Sequence, residues 1–290
     1  MPELPEVETI RIQLEKYLMD HKVERVEARY KNFEGNGRDL EGGKVKGIRR
    51  FGKVLVIDLS NGISTVIHIK LTGQLIYRGP NLLKAKSLSP KVSGGLGGKH
   101  THVIFHLDKG GILYYNDVRK FGWIKIIKSS ELKVKSDFIV RLGPEPVVDK
   151  KSPPDKPLTL EKFREIVGLT KRAIKVLLMD QEKIGGVGNI YANDALWLAK
   201  VDPRRPANSL SKSEQSKLYD SILEVLREGL KRGGASELAF VTPDGSEGEY
   251  QKHFLAYGRK DEQCKRCNKA KFKKITLGGR GTYYCPYCQK

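Results

Sequence analysis

The sequence predicts an α+β fold: an N-terminal antiparallel β-sandwich with a flanking helix, a linker, a helical domain and a four-cysteine zinc hairpin. Three observations predict it. Short β-type segments fill residues 23–127, a helical period replaces them beyond residue 158, and two Cys-x-x-Cys pairs close the 290-residue chain. We therefore predict domains at 1–142, 158–253 and 254–290, with a linker at 143–157.

The N-terminal region is predicted to open with an amphipathic helix over residues 4–19. Its apolar side chains recur at helical spacing, and a proline suits the first turn. Short β-type segments joined by glycine-containing turns follow, as is typical of an antiparallel sandwich or barrel. We predict strands at 23–30, 44–49, 54–59, 63–69, 74–77, 102–107, 112–115 and 123–127, with a flexible insertion at 84–100.

The second half of the chain has a different pattern. Five prolines and no visible periodicity make residues 143–157 a predicted interdomain linker. The apolar spacing beyond it predicts helices at 159–168, 171–182, about 189–199 and 211–232. Short strands return around the cysteines.

The composition narrows the class of partner. Lysine and arginine number 54 against 34 acidic residues, so the formal net charge is +20 and the pI is about 9.7. Residues 259–290 alone hold ten basic and two acidic side chains. This imbalance indicates a polyanionic partner. No apolar run approaches the roughly 18 residues of a membrane helix, and the first turn is acidic where a signal peptide is basic. We expect a soluble intracellular protein.

The four cysteines predict a metal site. Cys264 and Cys267 form one pair, Cys285 and Cys288 form the other, and 17 residues separate them, which is the spacing of a tetrahedral four-thiolate zinc site. A redox pair and a coincidental arrangement of cysteines are the alternatives. Four protein ligands leave no open position on the ion, so one Zn²⁺ would be structural. The basic residues between the pairs, including Arg280 near the hairpin tip, then form either a solvated loop or an arm that reaches a phosphate.

A glycine-rich turn lies between two of the predicted helices. Residues 184–191 read Ile-Gly-Gly-Val-Gly-Asn-Ile-Tyr, so backbone N–H groups there can approach an anion at a helix N-terminus. Asn189 can cap that helix and offer an amide to a phosphate. The alternative is an ordinary interhelical turn.

The amino terminus offers a nucleophile. If Met1 is removed, Pro2 becomes a secondary amine that can attack an aldehyde-level carbon and form an iminium ion. Glu3 and Glu6 follow within one turn and can serve acid–base chemistry. The alternative is that Pro2, Glu3 and Pro5 only begin a helix.

Three motifs together resemble the formamidopyrimidine-DNA glycosylase family, of the same superfamily as endonuclease VIII. They are the N-terminal Met-Pro-Glu-Leu-Pro-Glu sequence, the Gly-Val-Gly-Asn-Ile-Tyr turn at 186–191, and Tyr-Gly-Arg-Lys at 257–260 before the four-cysteine hairpin. The resemblance spans the whole chain in order. It implies a helix–two-turn–helix in the helical domain, and a bifunctional base-excision repair enzyme that removes oxidised bases and nicks the abasic strand.

The resemblance also implies residue roles. Pro2 would attack C1′ and Glu3 would exchange protons, with Lys53 and Arg280 as phosphate ligands counted in the catalytic set. Leu71, in place of the family's Met, would form a wedge with Arg119 and Phe121. These three wedge residues would fill the space left by an everted base. The full set implied to contact or support DNA is Glu6, His68, Leu71, Arg119, Lys120, Phe121, Asn189 and Arg280. Lys70 stands where the family usually has glycine.

The resemblance implies a monomer acting on double-stranded DNA that contains oxidised bases or abasic sites. It would be cytoplasmic and nucleoid-associated in a prokaryote, or nuclear in a eukaryote. Residues 237–250 have about the length of a loop that covers 8-oxoguanine in the formamidopyrimidine branch, which favours oxidised purines. Leu238, Ala239 and Phe240 stand where that branch commonly has Arg-Thr-Tyr. Two alternatives stay open: an endonuclease VIII-like enzyme for oxidised pyrimidines, and a non-catalytic zinc protein that binds nucleic acid.

Overall fold

A computed structural model describes residues 1–82, 87–149 and 153–290. The first three residues of the predicted insertion, 84–86, and residues 150–152 of the predicted linker lie outside the described part. The chain divides into two compact units. Unit 1 comprises Met1–Val140 and Arg232–Gln251, and unit 2 comprises Arg141–Lys231 and Lys252–Lys290. None of the helices in the described ranges is long and apolar enough to span a bilayer.

The described part of unit 1 contains two sheets and an N-terminal helix that the sequence predicts. The helix is α1 (Leu4–Leu18). The strands are β1 (Val23–Ala28), β2 (Phe33–Glu34), β3 (Val45–Phe51), β4 (Val54–Leu59), β5 (Ile63–His68), β6 (Gly73–Arg78), β7 (Thr101–Leu107), β8 (Ile112–Asp117) and β9 (Trp123–Lys128). One sheet has the order β1-β7-β8-β6 and the other has the order β2-β9-β5-β4-β3. Two short helices, α2 (Leu132–Lys135) and α3 (Asp137–Arg141), follow β9 and were not predicted.

The core of unit 1 lies between these sheets and α1. Val7, Ile10 and Leu14 of α1 are fully or almost fully buried and join apolar side chains of both sheets. Burying each such side chain contributes about 1.5–3 kcal/mol, which is what fixes the helix on the sheets. Among the described strands of unit 1 the pairing is antiparallel except between β2 and β9, a two-residue parallel contact that the predicted antiparallel sandwich did not include.

The segment Arg232–Gln251 belongs to unit 1, although the sequence analysis assigned it to the helical domain. It returns to the sheets because Phe240 is 4% exposed within the core and Tyr77 N–H donates to Pro243 O at 2.8 Å. Residues 87–100 of the predicted flexible insertion pack against the same segment, through Leu88 and Val92. Apolar burial thus anchors two stretches that look like loops in the sequence.

Unit 2 contains the helices α4 (Leu160–Gly168), α5 (Ile174–Leu178), α6 (Asn189–Leu198) and α7 (Lys212–Lys231), and a hairpin of β10 (Lys273–Leu277) and β11 (Arg280–Tyr284). Three of the predicted helices are confirmed nearly to their ends. The predicted helix 171–182 is wrong in length, since α5 has only five residues and a turn follows it at Asp180. Part of the predicted linker pairs within unit 2, where Glu145 bridges Pro157.

Candidate functional site

The chain's amino terminus is held by a reciprocal capping arrangement. Glu3 precedes α1 as its N-cap and accepts the Glu6 backbone N–H, while Glu3 N–H donates to Glu6 Oε2 at 2.7 Å. The other oxygen of Glu6 accepts Ala235 N–H at 2.8 Å. Glu3 is 3% exposed, Glu6 is 1% exposed, and Pro2 is also buried. Glu6 therefore supports the terminus from within the unit and offers no surface oxygen to DNA.

Gly234 makes this support possible. Its φ is +84°, a conformation that side chains rarely adopt, and a Cβ there would lie 2.8 Å from Glu6 Cγ. The Arg232–Gln251 segment can therefore approach the helix start closely only at a glycine. This places the beginning of that segment beside the candidate nucleophile.

A buried ionic network continues along α1. Glu8 accepts from Arg50 Nε on β3 and from Arg11 Nε, both at 2.8 Å, and the Glu8 and Arg50 side chains are 4% and 5% exposed. Arg50 also donates to Gly52 O at 2.9 Å. The network ties the helix to the turn that carries Lys53. The sequence analysis missed it, although a Glu on the apolar side of an amphipathic helix is a signal for such a pair.

Lys53 and His68 lie together in a positively charged cluster. Lys53 is 3% exposed in the two-residue turn between β3 and β4, and His68 is 3% exposed at the end of β5. Burial, reinforced by the charges of Lys70 and Lys53, lowers the pKa of His68 to about 3. His68 is therefore neutral, and its Nδ1 accepts Lys70 N–H at 3.0 Å. That contact leaves Nε2–H as a donor, so the cluster is suited to an anion such as phosphate.

Lys70 has a left-handed backbone with φ of +49°. A non-glycine residue there costs about 1–2 kcal/mol. Burial also lowers the pKa of Lys70. The departure thus adds a strained cation beside Lys53 and His68.

The wedge residues lie on two neighbouring loops. Leu71, half-buried, follows β5, while Arg119 and Lys120 are exposed in the turn after β8. Phe121 is 55% exposed, and the Cζ atom of Arg119 lies over its ring, 4.6 Å from the ring centroid. An exposed aromatic ring held by a stacked arginine fits insertion between bases better than it fits a water-facing turn.

Asp117 connects the two loops, and sequence reasoning missed it. This fully buried carboxylate accepts Thr72 Oγ1–H at 2.5 Å from the Leu71 loop and Gly122 N–H at 2.8 Å from the Phe121 turn. It also accepts Tyr30 O–H at 3.0 Å. Burial and the Asp117 charge raise the pKa of Tyr30 to about 12, so this phenol stays a donor. The network fixes both halves of the wedge together.

In unit 2, Lys175 organises a second site. Its ammonium is fully buried and donates to Asn189 Oδ1 at 2.6 Å, to Thr282 Oγ1 at 2.9 Å and to Gly281 O at 3.2 Å. Because Asn189 uses its oxygen on Lys175, its NH₂ group is available for a phosphate. Arg280 lies next to Gly281 and is exposed at the start of β11. Lys175 thus places both predicted phosphate ligands of this unit, and nothing in its sequence context distinguishes it from a surface lysine.

One expectation about the glycine turn is wrong, and a second holds for fewer of its N–H groups than predicted. Asn189 is the first residue of α6 and does not cap it, since Gly188 is the N-cap. The N–H groups of Gly185 and Gly186 donate to Pro144 O at 2.9 Å and to Gln181 Oε1 at 3.0 Å, so they are not available to an anion. The turn positions Asn189 but supplies less of the anion site than its glycines indicate.

The four cysteines converge as their spacing predicts. Their Sγ atoms all lie within 4.8 Å of one another, and Cys264–Cys288 and Cys267–Cys285 are each 3.8 Å apart. Thiolates at about 2.3 Å from a tetrahedral zinc are about 3.8 Å apart, so the residues fit the ion. Burial raises the pKa of the Cys264 thiol, but N–H donors of Cys267 and Arg266 outweigh it and lower that pKa to about 6. Arg266 also donates to Trp197 O at 2.6 Å, which fastens the knuckle to α6.

This combination of a β-sheet unit, a buried N-terminal acid and a basic four-cysteine hairpin defines a class of nucleic-acid enzymes. Comparison with known families agrees. A model described as formamidopyrimidine-DNA glycosylase N-terminal domain matches residues 1–124, and the corresponding H2TH domain model matches residues 142–240. The chain belongs to the formamidopyrimidine-DNA glycosylase family, the DNA glycosylases of base-excision repair.

Full-length relatives support this assignment. Formamidopyrimidine-DNA glycosylase of Desulfitobacterium hafniense is 37% identical over 298 residues, and that of Lactiplantibacillus plantarum is 36% identical over 297, each covering 100% of both chains. A Lactococcus lactis variant in complex with DNA containing Fapy-dG has a TM-score of 0.83 at 32% identity, covering 100% of both chains. The Thermus thermophilus protein has the same TM-score and identity, covering 99% of this chain and 98% of that chain.

Proposed function

We propose that this chain is a bifunctional DNA glycosylase and abasic-site lyase whose nucleophile is the amine of Pro2, exposed by removal of Met1. The observation that carries the proposal is the held start of α1, where Pro2 and Glu3 are buried and Glu6 fixes their backbone. A nucleophile must be held within about 3–3.5 Å of the atom it attacks, and a rigid helix start provides such control. A helix that only needed an N-cap would not require Glu6 to bind Ala235 as well.

The proposed chemistry begins at C1′ of the damaged nucleotide. The Pro2 nitrogen forms a bond to C1′ while the glycosidic bond breaks, and the departing base takes the electron pair and a proton. Glu3 is the group placed to exchange that proton. The Pro2 nitrogen gives up its proton, and the C1′–O4′ bond then opens, with O4′ taking the bonding pair and a proton, which leaves an iminium between Pro2 and C1′. The iminium acidifies the C2′ hydrogens, so elimination expels the 3′ phosphate and a second elimination expels the 5′ phosphate. Water then hydrolyses the remaining iminium and restores the Pro2 amine.

The damaged base has to leave the stack first, at a cost of a few kcal/mol. In the proposal, Leu71, Arg119 and Phe121 fill the space that it leaves. Lys53 with the Nε2–H of His68, and in the other unit Asn189 with Arg280, bind backbone phosphates and hold the bent duplex. Lys120, exposed in the Phe121 turn, adds charge near the strand.

Oxidised purines, 8-oxoguanine and formamidopyrimidines, are the proposed substrates, together with abasic sites in duplex DNA. The support is the Arg232–Gln251 segment, which packs into the core of unit 1 through Phe240 and begins beside Glu6. Related Lactococcus lactis structures hold DNA with Fapy-dG, with an oxidised pyrimidine and with an abasic site. Oxidised pyrimidines are therefore a required comparison in the assay.

The four-cysteine cluster is proposed to hold one structural Zn²⁺. Four thiolates complete the tetrahedron, so the ion stabilises the hairpin that carries Arg280 and takes no part in bond breaking. Metal analysis should find one zinc per chain. Cys264→Ser should lower both zinc content and DNA affinity, whereas unchanged affinity in a zinc-free variant would contradict the role of the hairpin.

The test of the function is borohydride trapping on 8-oxoguanine, formamidopyrimidine and thymine glycol duplexes. Wild-type protein should give a covalent adduct and strand cleavage, while Pro2→Gly and Glu3→Gln should each lower excision by about 10²-fold or more, the usual contribution of such groups. Glu24→Gln, an exposed position on β1, is the matched control and should leave the rate unchanged. Equal binding of damaged and intact duplex with no adduct would support a non-catalytic DNA-binding protein instead.

A further inference from the structure

The Arg232–Gln251 segment is held at its outer end by contacts that the proposed chemistry does not use. We propose that Gln74 and Lys91 are positioning residues that hold residues 236–247 in one conformation before DNA binds, so that this stretch is ready to receive an everted oxidised purine. This inference rests on the proposed function for its substrate. The support that Gln74 and Lys91 give to residues 236–247 is argued from the contacts within unit 1.

Gln74 is a buried connection between three pieces of chain. It lies on β6, is 1% exposed, and its Nε2 donates to Lys91 O at 2.7 Å and to Ala239 O at 2.6 Å. Its Oε1 accepts Ser93 N–H at 3.1 Å. Both amide hydrogens and the carbonyl are therefore used. One side chain fastens the stretch 87–93 and the Arg232–Gln251 segment to the same strand.

Lys91 makes the second connection. Its ammonium donates to Ser236 O and to Glu247 Oε2, the latter at 2.7 Å, so it joins both ends of the stretch. Ser89 adds a hydroxyl contact to Glu247 Oε1 at 2.6 Å and a backbone contact to Gly245 O at 2.9 Å. The Lys91 and Glu247 side chains are about one third exposed, so the pair can break without unfolding the core.

An apolar layer lies under these polar contacts. Ile76 and Val241 are 0% and 1% exposed, Val92 is 9% exposed, and Leu88 packs against them. Gly245, with φ of +85°, is where a Cβ would come within 2.4 Å of Leu88. Residues 87–93 therefore pack closely against the Arg232–Gln251 segment and support it.

The anchors leave two neighbouring side chains exposed, those of Glu237 and Leu238, and Leu238 is the apolar one. Leu238 lies between Ser236 and Ala239, the two residues whose carbonyls are bound, and is 57% exposed. The near end of the same segment is fixed by Glu6 beside Pro2. The exposed Leu238 side chain, held between two fixed carbonyls, is suited to pack on the flat face of a base. The class of ligand that the site would take is therefore an everted nucleobase.

Hydrogen exchange of the free protein tests the support without any assumption about substrate. Gln74→Ala and Lys91→Ala should each speed exchange of amides in 236–247 by about tenfold, the effect of losing one charged or buried hydrogen bond. Lys91→Arg should preserve slow exchange. Lys46→Ala, which removes an exposed pair with Asp20, is the matched control and should change nothing. Unchanged exchange in both alanine variants would overturn the proposal.

Kinetics then test the consequence for binding. When fewer free molecules hold the competent conformation, the apparent dissociation constant rises in proportion. KM for an 8-oxoguanine duplex should therefore rise in Lys91→Ala by the factor by which the competent fraction falls, while the saturated single-turnover rate stays within about twofold. Cleavage at an abasic site, which has no base to receive, should be unchanged. An equal rise in KM on both substrates would refute the role, whereas a wild-type protein that excises nothing would refute the proposed function and leave the exchange result standing.

Discussion

Replacing Lys175 by Met tests whether one buried ammonium organises the proposed phosphate-binding site of unit 2. The change removes donors to Asn189, Thr282 and Gly281, at 2.6, 2.9 and 3.2 Å, and substitutes an apolar chain of similar length. The change leaves three neutral acceptors without their donor, and each acceptor that stays buried and unsatisfied costs about 1–3 kcal/mol. We expect a total loss of about 3 kcal/mol, since Asn189 is half-buried and water can reach its freed oxygen.

The assay combines calorimetry with DNA binding. A loss of about 3 kcal/mol corresponds to a fall in Tm of roughly 10 °C for a unit of this size. The Kd for a duplex with an abasic-site analogue should rise at least about tenfold, since Asn189 and the hairpin tip both lose their anchor. Lys162→Met on α4, where the lysine makes only an exposed pair with Glu165, should change the free energy of unfolding by less than about 0.5 kcal/mol. A Lys175→Met protein with unaltered Tm and Kd would refute the reasoning.

The remaining predictions concern unit 1. Lys70→Gly should raise the free energy of unfolding in urea by about 1 kcal/mol, because it relieves a left-handed backbone. The control Lys109→Gly, at φ of +59° on another turn, should raise it by a similar amount without any change in DNA affinity. Because the folded pKa of His68 is depressed to about 3 from 6.5, the unfolded chain binds its proton first as pH falls between these values. Stability from His68 is thus complete above pH 6.5 and falls by up to about 1.4 kcal/mol per pH unit below it, and His68→Gln should flatten that slope. Asp117→Asn should weaken wedge insertion, seen as a smaller fluorescence change of 2-aminopurine next to the lesion, while the zinc content stays the same; a full fluorescence response would contradict the proposed connection.

Much of the fold could be predicted because local patterns and tertiary burial agree. The helix at Leu4–Leu18 carries its apolar residues at helical spacing and buries them, so its bounds differ from the prediction by one residue at the C-terminal end. The two Cys-x-x-Cys pairs have the spacing of a four-thiolate metal site, and their sulfur atoms converge as predicted. The predicted helix 171–182 was too long because the sequence has no glycine or proline to mark its end. In the structure α5 ends at Leu178, and a turn follows in which Asp180 N–H donates to Leu177 O.

What could not be predicted depends on contacts between residues distant in the chain. Asp117 meets Thr72 and Tyr30 only once the sheets form, and Lys175 meets Thr282 across 107 positions. Gln74 and Lys91 read as an ordinary strand residue and a loop lysine. In each case a polar side chain becomes informative only when its burial and its partners are known.

The placement of Asn189 illustrates the same limit. The sequence offers an Asn beside glycine at a helix start, which favours an N-cap. The structure instead gives that position to Gly188 and turns the Asn189 carboxamide toward Lys175. A buried cation therefore decides the orientation of the amide.

The central claim is that the amine of Pro2, freed from Met1, bonds to deoxyribose. The most direct measurement is mass spectrometry of the borohydride-reduced adduct formed with an 8-oxoguanine duplex, followed by peptide mapping. We predict a chain lacking Met1 with the sugar remnant on Pro2, and no adduct from a form that retains Met1. An adduct on an internal lysine, or full excision by protein that still carries Met1, would contradict the account.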